Sequence, residues 1–174
     1  MTLSKEKQEL YDVLCHMREV HRVCGNKGAY YSGHADFLLQ NGKWYDLTPI
    51  PSDIRRGAPK SCYGNALLLG DSLNLRYIEG YATGVIPVQH AWNIDADGTL
   101  IDNTWMNGGL AYFGVEFSLG RAGYCTWFDD ANVLTAKSSR VLYDKKWEGE
   151  DFSLVWQPVP VIGIAHHLRE YGLL

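Results

Sequence analysis

SCYGNALLLGDSL (61–73) is the stretch that decides the fold, because it is typical of one helix and is followed directly by three strand-like runs. Those runs contain the alternating apolar, β-branched and aromatic residues that favour strands; they are LRYIEGYATG (75–84), VQHAWNIDA (88–96) and TLIDNTW (99–105). Asp97-Gly98 lies between the last two runs and is a strong signal for a two-residue hairpin turn. This order predicts an α+β fold in which a helix precedes an antiparallel sheet.

The N-terminal third predicts a helix, a hairpin and an irregular loop. Apolar residues recur at three- and four-residue steps from Ser4 to Cys24, as in an amphipathic helix, and Gly25, Asn26 and Gly28 supply a stop. Residues 34–48 predict a β-hairpin around Asn41-Gly42. Pro49, Pro51 and Pro59 then predict an irregular loop that leads to Ser61, the expected N-cap of the next helix, within which Gly70 marks an end or a kink.

The C-terminal third gives weaker signals. We expect a strand or helix at 110–117, a short helix at 129–136, a buried apolar run at 159–165 and a helical end. No repeat, low-complexity tract or linker divides the chain. A chain of 174 residues can bury about 70% of its unfolded surface, so we expect a single domain over residues 1–174.

Charge and composition narrow the functional classes. A net charge of −4 and a pI near 5.8, without a run of clustered Lys and Arg, argue against a general nucleic-acid binder. The N-terminus lacks the apolar core of a signal peptide, and no run of about 20 apolar residues could span a bilayer. We therefore expect a cytoplasmic protein without a membrane partner.

The cysteines and histidines do not predict a metal site. Four scattered cysteines in a chain without a secretion signal indicate free thiols, and none forms a C-x-x-C pair. His21 with Cys24, and His166-His167, lack a second ligand pair, and Cys125 among aromatic residues favours core packing. We expect no metal and no cofactor, and the oligomeric state stays open.

Three residues in the central runs could act together on a substrate. Cys62 opens the predicted helix, where the helix dipole and free N–H groups favour a thiolate, and His90 and Asp102 follow in the strands. A two-residue turn at Asp97-Gly98 pairs odd positions with even ones, which places His90 and Asp102 on opposite faces. Their meeting requires a bulge or a turn of another length.

The same runs resemble transglutaminase-like cysteine enzymes over about 45 residues. The resemblance lies in a helix-opening Cys, a Gly-Tyr strand end, His-Ala-Trp, and an Asp followed closely by Thr, here in SCYGNALLL, YIEGYATG, QHAWNID and IDNTW. It implies a papain-like arrangement in which N-terminal helices and a nucleophile at a helix start pack on an antiparallel β-sheet. It also implies a catalytic triad of Cys62 as nucleophile, His90 as general base and acid, and Asp102 as the group that orients the imidazole.

Further residues and functions remain alternatives. Trp44, Tyr63 and Trp92 are candidates for substrate binding, although core packing is the competing interpretation for the tryptophans, and Tyr63 stands where relatives often have Trp. The leading hypothesis is a hydrolase such as a cysteine protease, peptidase or amidase that acts on a peptide or protein amide. A glutamine deamidase or transamidase, a non-catalytic binding module, and a superficial resemblance with a structural Cys62 are the alternatives.

Overall fold

The computed structural model describes residues 3–24, 28–105 and 107–149, without the side chains of residues 127 and 128. Its helices and strands occur in this order: α1 Lys5–Cys24, α2 His34–Asn41, β1 Lys43–Tyr45, α3 Cys62–Leu73, β2 Arg76–Thr83, β3 Pro87–Ile94, β4 Leu100–Ile101, β5 Ala111–Phe117, α4 Leu119–Phe128, a 3₁₀ helix Lys137–Arg140 and α5 Val141–Asp144. The fold is α+β. The predicted helix at 61–73 and the two central strands are confirmed.

A five-stranded antiparallel sheet forms the centre of the fold, in the order β1-β5-β2-β3-β4. Alternate residues of its strands contribute to two different apolar clusters, as expected from the two-residue period of a strand. One face, which we call the helix face, packs with α1, α2 and α3 around Tyr81 and Phe113. The other, which we call the site face, carries a smaller cluster around Trp92 and Tyr112.

The predicted hairpin at 34–48 is wrong, because its first half is helix α2. Asn41-Gly42 ends this helix: the Gly42 N–H donates to Leu38 O at 2.7 Å, and the Asn41 amide donates to Phe37 O at 2.8 Å. Gly42 has a φ of −75°, so the turn conformation that Asn-Gly permits is not used. The second half is strand β1, which pairs with β5 rather than with residues 34–41.

The turn between β3 and β4 has a different length from the predicted one. Ile94 pairs with Leu100, the Asp95 N–H donates to Thr99 O at 3.1 Å, and Gly98 adopts a φ of +86°. Three residues therefore lie between Asp95 and Thr99, the loop length in which a Gly with positive φ commonly completes the turn. The odd number shifts the register so that even positions pair with even positions.

The remaining predictions have mixed outcomes. Helix α1 is confirmed, and the region 110–117 is strand β5. The predicted helix at 129–136 is wrong: these residues form turns, and the helix precedes them as α4. The predicted apolar run at 159–165 and helical C-terminus lie outside the described residues. Among the described helices, none combines the length and apolar character that crossing a bilayer requires.

Candidate active site

Cys62 is the first residue of helix α3, at the end where backbone N–H groups point outward. The predicted N-cap, Ser61, does not cap the helix with its side chain, because its hydroxyl donates to Pro59 O at 3.4 Å. The first-turn N–H groups therefore receive no side-chain acceptor from Ser61. The Cys62 side chain keeps 9% of its surface exposed. This position places a thiol beside unused donors and the positive end of the helix dipole.

His90 connects Cys62 to Asp102. Its Nε2 lies 2.8 Å from Asp102 Oδ2, and the neighbouring Cys62 side chain interacts with the imidazole and favours its protonated form. Because Nε2 is hydrogen-bonded to Asp102, Nδ1 is the ring nitrogen that remains for the thiol. Both His90 and Asp102 are almost completely buried, with 2% and 1% of their surface exposed. The structure therefore brings together the three residues that the sequence motif singles out.

The charges of this site are set by competition between burial and hydrogen bonding. Burial lowers the pKa of His90, but hydrogen bonds and charge interactions with Asp102 and Cys62 outweigh it and raise this pKa to about 9. Burial raises the pKa of Asp102, but its hydrogen bond with His90 and other partners hold this pKa below its ordinary value. The site therefore holds an ionised Asp102 carboxylate beside a readily protonated His90 imidazole.

The Asp102 carboxylate accepts hydrogen bonds at both oxygens. Oδ1 accepts from the backbone N–H groups of Thr104, at 2.9 Å, and Trp105, at 3.3 Å. Oδ2 accepts from Tyr112 Oη at 2.7 Å, in addition to His90. These four partners fix the orientation of the carboxylate and stabilise its charge.

The segment 102–105 is tied to the loop before the nucleophile and to helix α3. Asn65 Nδ2 donates to Thr104 Oγ1 at 3.0 Å and to Ala58 O at 2.7 Å, while its Oδ1 accepts from the Ala58 N–H at 3.1 Å. The Gly57 N–H donates to Asn103 O at 2.8 Å. The nucleophile helix and the Asp102 segment are therefore held in register by one asparagine side chain, three residues after Cys62.

Aromatic rings surround His90 on the site face. Trp105 stacks against the imidazole with ring centroids 4.3 Å apart, and Trp92 and Tyr112 lie at 6.3 and 6.2 Å. Strand β2 places only Gly80 and Ala82 between His90 and Tyr112, since Gly80 pairs with His90 and Ala82 pairs with Tyr112. Small residues in the middle strand thus allow rings from both neighbours to meet across it.

The three residues predicted to bind substrate have different outcomes. For Trp92 the prediction is wrong, because none of its side chain is exposed. Trp44 lies on β1, at the opposite edge of the sheet from β4, where its half-buried ring packs on Phe113 at 4.7 Å, and its contact with substrate stays a prediction. Tyr63 is half-buried and follows Cys62 in helix α3, and its contact with substrate stays a prediction.

The sequence reasoning missed Asn65 and Tyr112 as parts of the site. A signal existed for Asn65, since a polar residue three positions after Cys62 faces the same side of a helix. No local signal identifies Tyr112, which reaches Asp102 only through the order of strands in the sheet.

Comparisons with protein-family models, curated proteins and solved structures find no match for this chain. The transglutaminase-like resemblance therefore depends on the motif residues themselves. Within the described residues, no three His, Cys, Asp or Glu side chains are grouped so that they could hold a metal ion.

Proposed function

We propose that this chain is a cysteine-nucleophile acyl-transfer enzyme, with a transglutaminase-like triad of Cys62, His90 and Asp102, that acts on an amide of a peptide or protein. One observation carries the proposal: a single buried imidazole is hydrogen-bonded to a carboxylate and lies beside a helix-opening cysteine whose side chain favours the protonated ring. A nucleophile, a base and an orienting group in this order are the parts of a covalent acyl-transfer mechanism.

The mechanism uses the proton shared by Cys62 and His90. The thiolate attacks the carbonyl carbon of the amide, and the imidazolium then gives its proton to the leaving amine as the C–N bond breaks. The resulting thioester is attacked by water or by a second amine, from which His90 takes the proton. Asp102 keeps the imidazole in place and stabilises its charged form throughout.

The open end of helix α3 offers stabilisation for the tetrahedral intermediate. The negative oxygen formed during attack requires hydrogen-bond donors that are already in place. Ser61 leaves the first-turn N–H groups of the helix without a side-chain cap, and the N–H of Cys62 is one candidate donor to the anion. These groups and the dipole of the helix both favour the anion.

The proposal is tested by trapping the acyl-enzyme and identifying the acceptor. Blocked peptide 4-nitroanilides offer a backbone-type amide, and a blocked glutaminyl-glycine peptide with methylamine offers a side-chain amide and an amine acceptor. We expect an acid-stable adduct on Cys62 by mass spectrometry, absent in Cys62→Ala. Release of nitroaniline indicates a hydrolase, release of ammonia alone indicates a deamidase, and methylamine incorporation indicates a transamidase.

A result against the enzyme is also defined. If Cys62 forms no adduct with any of these amides and reacts with iodoacetamide no faster than the exposed Cys24 at pH 6, the proposed chemistry is wrong. The fold would then serve as a non-catalytic binding module. Cys24 is a suitable internal reference, because greater exposure should make it the faster thiol unless the site activates Cys62.

A further inference from the structure

Tyr112 lies in the middle of the sheet with its hydroxyl at the Asp102 carboxylate. The residue is fully buried on β5, and its Oη donates to Asp102 Oδ2 at 2.7 Å. The same oxygen atom accepts from the Gly109 N–H at 2.6 Å. Since this N–H occupies a lone pair of the phenol oxygen, the hydroxyl proton is directed to the carboxylate.

The hydroxyl of Tyr112 and the imidazole of His90 share one carboxylate oxygen. Asp102 Oδ2 accepts both bonds, while Oδ1 accepts only backbone N–H groups from its own segment. Rotation of the carboxylate away from His90 would therefore also break the bond from Tyr112. A phenol donor also draws electron density from the oxygen that His90 uses, so it weakens that oxygen as an acceptor for the imidazole.

We propose that Tyr112 is a positioning residue for the triad: its hydroxyl fixes the orientation of Asp102 and limits how strongly the carboxylate holds the imidazole of His90. This inference rests on the proposed function. The strength of the bond between Asp102 and the imidazolium must be limited because His90 has to release its proton to the leaving amine. An imidazole held too strongly as its cation is a poorer general acid.

The other charged and titratable groups near this pair are unchanged by a hydroxyl deletion. Arg56 donates to the backbone oxygens of Asp102 and Trp105, and its charge also acts on Tyr112. Cys62 lies on the other side of the imidazole. Burial and the charge of Asp102 raise the pKa of Tyr112 well above its ordinary value, so the phenol stays protonated and can donate.

The chain contains a matched control in Tyr45. This residue pairs with Tyr112 across the sheet, belongs to the same apolar cluster and is also buried. Its hydroxyl has no hydrogen-bond partner among the described residues. Tyr45→Phe and Tyr112→Phe therefore delete the same atom from neighbouring rings, but only the second removes a bond to Asp102.

The test is an NMR titration of the His90 ring in both variants, with its signal assigned by its loss in His90→Ala. Removing the Tyr112 donor makes the carboxylate a stronger acceptor, so Tyr112→Phe should raise the His90 midpoint by about 0.5 to 1 pH unit. Tyr45→Phe should leave it unchanged. An unchanged midpoint in Tyr112→Phe, or an equal shift in both variants, overturns the inference.

A second measurement uses the wild-type protein and does not depend on the folding of Tyr112→Phe. The hydroxyl proton of Tyr112, buried and bonded to a carboxylate, should give a slowly exchanging downfield signal that disappears in Asp102→Asn. Absence of this signal in the wild-type protein also overturns the inference. Failure of the proposed function is distinguished by the wild-type protein alone, since Cys62 would then show no excess reactivity over Cys24.

Discussion

Asp102 and Glu79 are two buried carboxylates on opposite faces of the same sheet. Each has 1% of its surface exposed. Each accepts one hydrogen bond from a tyrosine hydroxyl and two from backbone N–H groups of a loop that comes later in the chain. The donors to Glu79 are Tyr77, at 2.7 Å, and the N–H groups of Val133 and Leu134, at 2.9 and 3.1 Å.

The two carboxyl groups nevertheless have opposite pKa directions. Burial raises the pKa of Glu79 to about 7 in spite of its three hydrogen bonds, whereas the pKa of Asp102 lies below its ordinary value. The partner that differs is His90, which adds a cation to the donor set of Asp102. Neutral donors alone do not offset the cost of burying a charge, and the imidazole does.

The largest expected effect comes from removing that cation with His90→Ala. Because iodoacetamide reacts with the thiolate and His90 is the base that takes the thiol proton, the alkylation rate of Cys62 at pH 6 should fall by about 100-fold. Iodoacetamide labelling followed by mass spectrometry measures this rate for each cysteine. Cys24 should keep its rate, and an unchanged Cys62 rate contradicts the ion pair.

Glu79→Gln should change how stability depends on pH. The folded protein holds a proton on Glu79 from pH 4.5 up to about 7, where the unfolded chain has lost it, so the free energy of unfolding falls as pH rises through this range. The loss is on the order of 3 kcal/mol. Relative to wild type, Glu79→Gln should therefore gain stability between pH 4.5 and 7.

Urea unfolding at pH 4.5, 6, 7 and 8 measures this difference. Comparing the two proteins at each pH cancels the other titrating groups, including half-buried His34, whose pKa burial lowers to about 4. The His90 and Asp102 pair titrates over a different range, because it contributes stability fully only above pH 3.8 and below 6.5 and loses it as pH falls below 3.8 or rises through 9. A stability difference that does not vary with pH would show that Glu79 does not titrate in this range.

Asn65→Ala tests the loop whose backbone N–H groups donate to Asp102. This change deletes the bonds that tie Ala58 and Thr104 to helix α3 and leaves the backbone N–H and C=O of Ala58 without these part-buried bonds, so the free energy of unfolding should fall by about 2 kcal/mol. Ser72→Ala is the control on the same helix, since it removes one exposed bond to Leu68 O. Equal losses of unfolding free energy in Asn65→Ala and Ser72→Ala would contradict the role of Asn65 in holding the loop to helix α3.

The smallest expected effect is that of Tyr77→Phe, which removes the tyrosine donor from Glu79. Because the remaining backbone donors stabilise the charge less well, the pKa of Glu79 should rise further, and unfolding at pH 8 should become easier by about 1 kcal/mol. Tyr45→Phe again deletes a hydroxyl without a partner among the described residues. A Tyr77→Phe protein that is no less stable than Tyr45→Phe at pH 8 would contradict the role of this bond.

The hairpin that joins β3 to β4 shows where sequence reasoning stopped. Asp97-Gly98 correctly located the turn, but a two-residue loop would have put His90 and Asp102 on opposite faces. Asp95 Oδ1 accepts from the N–H groups of Asp97 and Thr99 at 2.9 and 2.8 Å, and this side-chain bonding stabilises the longer loop. One residue of loop length therefore decided whether the imidazole could meet the carboxylate.

The hairpin predicted from Asn41-Gly42 was wrong for a related reason. The pair permits a tight turn but does not require one, and the preceding residues could form either a strand or a helix by pattern alone. Ala35, Phe37 and Leu38 are completely buried, so packing of α2 against the helix face favoured the helix. Tertiary burial overrode a local turn signal.

The sequence by itself determined the elements whose signals are local: helix α1, helix α3 opening at Cys62, and the strand that carries His90. The order of the motif also identified Cys62, His90 and Asp102 as the residues of the candidate site. Only the tertiary structure decided the register that places His90 beside Asp102 and the strand order that brings in Tyr112. These depend on hydrogen bonds and packing between residues far apart in the chain, and short-range propensity carries no information about such contacts.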